Sequence, residues 1–309
     1  MNYIGIDIAK KKLDVGPTAL GKLPPVVNYT PRGLRGLVKA LHALPESCQV
    51  ICEASGGYER PLLEALWHND IPVSLVNPSQ VRSLARAQNL LAKTDKLDAA
   101  LLGQFGATLK PAPTPQPSKV QTQLAEMVAY REELKVQIAA QSNRLAQLRL
   151  PMVRALAKKA LQVLKAQLAQ INVLLKKLSA SDPELKQKIQ RLGQIKGVGF
   201  ISAVTLLASI PELGSLSGPA AAALAGVAPF NCDSGSFRGQ RHIRGGRPRA
   251  RRTLFMVALV ASRRNPILTR SYQHLIAKGK APKVALTALM RKIIRLLNAL
   301  LKYPSFQPA

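Results

Sequence analysis

The sequence predicts an α/β N-terminal domain, an α-helical coiled-coil connector and a mainly α-helical C-terminal domain. Three observations carry this reading. Short β-type apolar runs alternate with helix-periodic segments over residues 1–117, a leucine seam fills residues 118–190, and residues 191–309 join glycine turns and an arginine cluster to apolar helices. A chain of 309 residues that is 47% hydrophobic can bury more than one core, and its length suggests two or three domains.

The formal net charge of +29 lies far outside the ordinary range and points to nucleic acid ahead of an anionic membrane surface. Residues 1–117 hold 13 Lys and Arg against 9 Asp and Glu, residues 118–190 hold 13 against 5, and residues 191–309 hold 19 against 2. The C-terminal segment, at +17, would repel itself without a polyanion partner. No basic stretch followed by an apolar one opens the chain, and no run approaches the roughly 18 apolar residues of a spanning helix, so a cytoplasmic protein is expected. Cys48, Cys52 and Cys232 show no paired ligand spacing and imply neither a disulfide framework nor a zinc site.

Tyr3-Ile4-Gly5-Ile6-Asp7-Ile8 is an apolar β run with a carboxylate inside it. Such an acid costs stability unless a cation sits beside it, which makes Asp7 the first functional candidate. Leu13-Asp14-Val15 reads as a hairpin return, and the prolines between Pro17 and Pro31 mark a loop-rich stretch. Leu34, Leu37, Val38 and Leu41 repeat at helical spacing. Gln49 to Cys52 is a buried-type strand that delivers Glu53 at its C-terminal end, where ligands of such sheets sit. A helix from Arg60 to His68 follows, then a strand Val73 to Val76 and another helix, giving the order β–β–α–β–α–β–α.

Asp95 and Asp98 stand three apart at the start of a helix running to Leu109, with Thr94 as its cap. Two readings stand for them: favourable first-turn acids, or ligands whose mutual repulsion a divalent cation relieves. With Asp7 and Glu53 they make an all-oxygen set suited to Mg²⁺ or Mn²⁺ rather than zinc.

Pro111, Pro113, Pro115 and Pro117 form a stiff linker, after which Val120, Leu124, Met127, Arg131, Leu134, Ile138, Gln141, Leu145 and Leu148 follow a 4-3 rhythm. A second seam runs from Leu161 to Leu178. Either a dimer or an intramolecular helical hairpin satisfies the pattern, with Arg131 and Gln141 as polar register positions.

Lys196, Gly197 and Gly199 sit in a helix–hairpin–helix pattern whose exposed amides suit a phosphate backbone; the plain alternative is a tight turn between helices. A small-residue helix is expected from Ala220 to Ala228, and then the loop around Asp233-Ser234-Gly235-Ser236. Ser234 is either a turn residue or a nucleophile, served by the arginines Arg238, Arg241, Arg244, Arg247, Arg249, Arg251 and Arg252 close behind it. That cluster is the strongest sign of nucleic acid. Two further helices, Leu254–Ser262 and Val284–Leu301, close the expected fold, the latter carrying Arg291, Lys292 and Arg295.

Taken in order, Tyr3 to Asp7, Glu53 with Gly56, Lys93-Thr94-Asp95-Lys96-Leu97-Asp98-Ala99, Ile195 to Gly199, Asp233 to Ser236 and Met290-Arg291-Lys292 resemble the DEDD-type bacterial insertion-sequence transposases of the family numbered one-ten. The likeness covers nearly the whole chain. It implies an RNase H-like, resolvase-like N-terminal domain, a coiled-coil connector and a transposase domain. It further implies a tetrad of Asp7, Glu53, Asp95 and Asp98 that binds Mg²⁺, and Ser234 as the nucleophile of a covalent phosphoserine link to DNA. The family resemblance also implies guidance by a non-coding bridge RNA that pairs with donor and target DNA, and homodimers that assemble into tetramers with shared active sites. Arg247-Pro248-Arg249-Ala250-Arg251-Arg252 is richer in arginine than this motif leads one to expect. A metal-dependent junction nuclease without serine chemistry is the competing enzyme class, and a non-enzymatic nucleic-acid scaffold is the other alternative.

Overall fold

The computed structural model describes residues 2–19, 22–90, 94–235, 237–239 and 241–307. The chain divides into two compact units, Met1–Pro117 and Ser118–Ala309. Both mix or join helices around separate apolar cores, and helices dominate.

In the first unit, β1 (Asn2–Ile8), β2 (Lys12–Val15), β3 (Val26–Asn28), β4 (Cys48–Glu53) and β5 (Val73–Val76) form one sheet of order β3-β2-β1-β4-β5. β1 pairs antiparallel with β2, as the hairpin reading expects, and parallel with β4. β3 was not expected: three residues behind Pro24-Pro25 are too short to show alternation, yet Val26 and Val27 supply an edge for β2. Helices α1 (Pro31–His42) and α2 (Arg60–Trp67) cover one face, where Ile4, Ile6, Leu37, Leu62 and Leu66 are buried. Helices α3 (Pro78–Ala87) and α4 (Asp95–Leu109) serve a second core with Ile51, Val81, Leu102 and Phe105.

Glycines set how closely α4 lies on the sheet. A Cβ on Gly5 would stand 2.0 Å from the Ala99 carbonyl oxygen, one on Gly16 2.7 Å from the same atom, and one on Gly106 2.7 Å from Tyr3 and Ile51 side-chain atoms. Helix backbone therefore rests directly on strand backbone. The contact fixes the first turn of α4 against the middle of β1, which is where the acids are.

In the second unit, α5 (Lys119–Gln147) and α6 (Pro151–Ser181) pack on each other as an antiparallel hairpin. The two polar seam positions bond across it: Arg131 Nε donates to Asn172 Oδ1 at 2.8 Å and Gln141 Nε2 to the Ala157 carbonyl at 3.2 Å. Their register role is thus met within one chain. Helices α7 (Pro183–Gly193), α8 (Phe200–Ser209), α9 (Gly218–Leu224), α10 (Pro248–Arg264), α11 (Pro266–Ala277) and α12 (Pro282–Lys302) complete the unit.

Two expectations are corrected here. The small-residue helix stops at Leu224 rather than Ala228, because the chain turns through Gly226 at φ +68°. Three helices, not two, close the chain: α11 begins at Asn265, whose side chain accepts from the Ile267 and Leu268 amides, with Pro266 at its first position. Among the described residues no helix is long and apolar enough to cross a membrane.

Gly5→Ala is expected to destabilise the first unit by about 3 kcal/mol, since backbone atoms cannot yield to the new methyl. Gly36→Ala, on the exposed side of α1 with nothing within 4 Å, should instead stabilise by roughly 0.5–1 kcal/mol. Urea denaturation of both variants measures the contrast.

Candidate active site and nucleic-acid interface

Alternation along β1 buries Ile4 and Ile6 under α1 and α2, which turns Gly5 and Asp7 toward α4. β1 and β4 run parallel with Ile6 opposite Cys52, so Asp7 and Glu53 are the next residues of each strand, one step past the last pair. Glu53 itself is paired with Val76. On the other side of β1, Asp14 lies directly opposite Asp7. Thr94 caps α4 by accepting from the Leu97 amide, which places Asp95 and Asp98 in its first turn.

Asp7, Asp14, Asp95 and Asp98 share one electrostatic environment. Burial pushes the Asp7 carboxyl above its ordinary range; a hydrogen bond from the Ile8 amide opposes the shift, and the charges of Asp98, Asp95 and Asp14 add to it. The cations that approach the cluster are directed at its neighbours. Lys12 Nζ lies 3.0 Å from Asp14 Oδ2 and 2.9 Å from Asp95 Oδ2, and Arg82 Nη2 lies 3.3 Å from Asp98 Oδ1. The sequence reading placed no role on Asp14, Lys12 or Arg82. Asp14 and Lys12 are two apart in a strand opposite Asp7, a signal that was available once the hairpin register was fixed.

The loop after β4 is also fixed. Glu59 Oε2 accepts from the Ser55 amide at 3.0 Å, the Ser55 hydroxyl at 2.9 Å and the Gly57 amide at 2.8 Å. Burial alone would raise the Glu59 carboxyl, yet these donors hold it below the usual range. The turn through Gly56 and Gly57, at φ +73° and +114°, thereby holds the end of the strand that carries Glu53.

The donors suit a hard divalent cation in kind: all are carboxylate oxygens, and a cation would reverse the repulsion that raises Asp7. In this side-chain arrangement no group of three His, Cys, Asp or Glu among the described residues is drawn together closely enough to hold a metal. Lys93, Ser236 and the side chains of Lys96 and Arg238 lie outside the described residues. The buried Cys52 thiol is pushed up to about 12, chiefly by burial, and stays uncharged at neutral pH.

Ser234 belongs to the second unit. It is exposed on β7 (Asp233–Ser234), which pairs with β8 (Phe237–Arg238) around Gly235 at φ +55°. Below it, β6 (Pro229–Phe230) pairs with β9 (His242–Ile243). The excursion is closed at its base: Arg247 N donates to the Leu224 carbonyl at 2.7 Å, Arg251 Nη1 donates to the Gly245 carbonyl at 2.8 Å, and a Cβ on Gly246 would stand 2.3 Å from Gly226 Cα.

The predicted cationic residues divide into two groups. Arg247 and Arg251 have structural tasks. Arg247 makes a two-pronged pair with Glu212, at 2.6 and 2.7 Å, and also reaches the Ser209 carbonyl. Arg241, Arg291 and Lys292 instead line a cavity of about 560 Å³ with His242, Lys283 and Arg295. Arg252 lines a second cavity, of about 500 Å³, with Arg251 and Lys135. Arg244 is exposed. Lys283 escaped the sequence reading because it lies in the first turn of α12, far from the arginine cluster in sequence, and joins the others only through the fold. Lys196 is exposed in the turn between α7 and α8; Gly197, at φ +110°, lies close against Ala261, and Gly199 caps α8 without a side-chain bond.

The chain thus carries an acid-bearing α/β unit and a cationic helical unit that exposes Ser234. Residues 4–150 match the DEDD-type IS110 model, described as a transposase, and residues 189–273 match that of the transposase IS116/IS110/IS902 family. Over 308 residues the chain is 29% identical to the pilin gene-inverting protein of Moraxella bovis, covering 97% of this chain and 95% of that protein. It is 28% identical to the protein of the same name from Moraxella lacunata over equal shares. Over 126 residues it is 34% identical to an insertion element IS110 43.6 kDa protein of Streptomyces coelicolor, 38% of this chain and 31% of that one. The chain belongs to the IS110 family of transposases and is a DNA transposase/recombinase.

Two outcomes follow from the charges. A carboxyl raised in the folded state binds its proton more tightly there than in the unfolded chain, so stability falls as pH rises through and above 3.8. Asp7→Asn should therefore melt higher than the wild type at pH 7 without divalent cation, and the gain should vanish toward pH 3; melting curves across that range test it. Arg247→Ala should cost about 1 kcal/mol of stability in thermal unfolding, the pair being partly solvent-screened.

Proposed function

We propose that this chain is the transposase of an insertion sequence, a site-specific recombinase guided by a bridge RNA that cuts and rejoins DNA through a phosphoserine at Ser234. Asp7, Glu53, Asp95 and Asp98 hold the divalent cation, Mg²⁺ or Mn²⁺, on an RNase H-like first domain. The observation that carries the reading is the acidic face: Asp7 stands on β1 opposite Asp14 and under the charges of Asp95 and Asp98. Sheet order β3-β2-β1-β4-β5 with acids on adjoining central strands supports the domain assignment. The two Moraxella relatives, named for inverting a gene, support strand exchange as the reaction class.

The divalent cation supplies charge neutralisation at the scissile phosphate. The chain's own residues do the rest. The Ser234 hydroxyl attacks phosphorus, an Oγ–P bond forms, and the P–O bond to the departing strand breaks, leaving that strand's hydroxyl with the proton. The new ester conserves the bond energy, so the hydroxyl of an incoming strand reverses the step and restores serine. Exposure of Ser234 on a two-stranded tip allows DNA to reach it. Arg241, Arg291 and Lys292 contact phosphates from the cavity beside that excursion. The protein works as a homodimer that assembles into a tetramer around donor DNA, target DNA and the RNA.

Incubation with the element's flanking RNA, donor and target DNA and Mg²⁺ should yield a protease-sensitive protein–DNA adduct. Ser234→Ala is expected to lower its formation by at least about a thousandfold with nucleic-acid binding retained, and Asp7→Ala to abolish it with the fold retained. Cleavage without an adduct would establish the junction nuclease instead. Replacing Arg291 and Lys292 by alanine should reduce the slope of log affinity against log salt by about two, as read by binding isotherms from low to high salt.

A further inference from the structure

We propose that Lys12 is the built-in counter-ion of the acidic face, a positioning residue that holds Asp95 in the metal-free protein and yields it when a divalent cation enters. The inference rests on the metal reading above. Lys12 and Asp14 are two apart in β2, so their side chains leave the strand on one side. That side faces α4, because Gly16, two further along, meets the Ala99 carbonyl. The Lys12 ammonium bridges the two elements, 3.0 Å from Asp14 on the sheet and 2.9 Å from Asp95 on the helix.

The two contacts are unequal. The Asp14 side chain is 8% exposed, while that of Asp95 is 56% exposed. A buried carboxylate needs its counter-ion, and an exposed pair is held weakly. Asp14 is thus the anchor and Asp95 the exchangeable partner. The face carries Asp7, Asp14, Asp95 and Asp98, with Lys12 on Asp14 and Asp95 and Arg82 on Asp98. A dication that takes Asp95 displaces one of the two Lys12 contacts and leaves the other, so the lysine remains in place as a neighbouring positive charge. Lys12 therefore weakens metal binding while keeping the empty site assembled.

The test measures metal binding, not recombination. Free Mn²⁺ is followed by its paramagnetic resonance during titration of the full chain at low salt. Lys12→Met is expected to bind Mn²⁺ roughly fivefold tighter than the wild type, the scale of one partly exposed ion pair, and Lys12→Arg to match the wild type. Raising salt should narrow the gap. If Lys12→Met does not fold, the double variant K12M/D14N is compared with D14N, and the same tightening is expected. Wild-type binding lost in Asp7→Asn, with Lys12→Met unchanged or weaker, overturns the counter-ion role and leaves the metal reading intact. No Mn²⁺ binding by the wild type, or binding that survives Asp7→Asn, overturns the metal reading and this inference with it.

Discussion

Backbone laid on backbone, at the contact of α4 with β1, is the constraint from which the acidic face follows. Three glycines, Gly5, Gly16 and Gly106, remove the side chains that would hold helix and sheet apart. The first turn of α4 then arrives beside the middle of β1, bringing Asp95 and Asp98 within electrostatic reach of Asp7. A methyl group at Gly5 would act on this geometry before it acted on any acid. Residues that carry no chemistry thus decide whether the chemistry is assembled.

The face so formed is electrostatically unfavourable in the protein alone. Asp7 is raised by burial and by its neighbours, and the nearby cations are committed to Asp14, Asp95 and Asp98. A fold optimised for stability would place an amide or an aliphatic residue there. Retaining a carboxylate with a raised pKa at the centre of a sheet is what supports the proposed cation site. The cationic unit shows the complementary pattern, with some arginines bonded to carbonyls and Glu212 and others lining cavities.

Much of this was legible in the sequence. Asp7 inside an apolar run, the Thr94 cap and the 4-3 seams all report local rules that the fold obeys. What escaped depends on pairing or on brevity. β3 has three residues and no period to read. α11 was not among the expected helices, although Asn265-Pro266 is a start signal. The role of Asp14 appears only when the β1–β2 register sets it against Asp7. Likewise, Arg247 looked like its neighbours until the fold placed Glu212 beside it.

The closed base of the serine excursion has one more consequence. Leu224, Gly226, Gly245, Arg247 and Arg251 clamp the two ends together at the start of α10; Val227 and Ala228 still pack on the helical core, and the tip beyond them lies outside it. Loop closure entropy rises only with the logarithm of length. The tip is therefore modular: beyond Val227 and Ala228 it can be lengthened or shortened at little cost to the body, and how far Ser234 projects is adjustable independently of the fold that carries it.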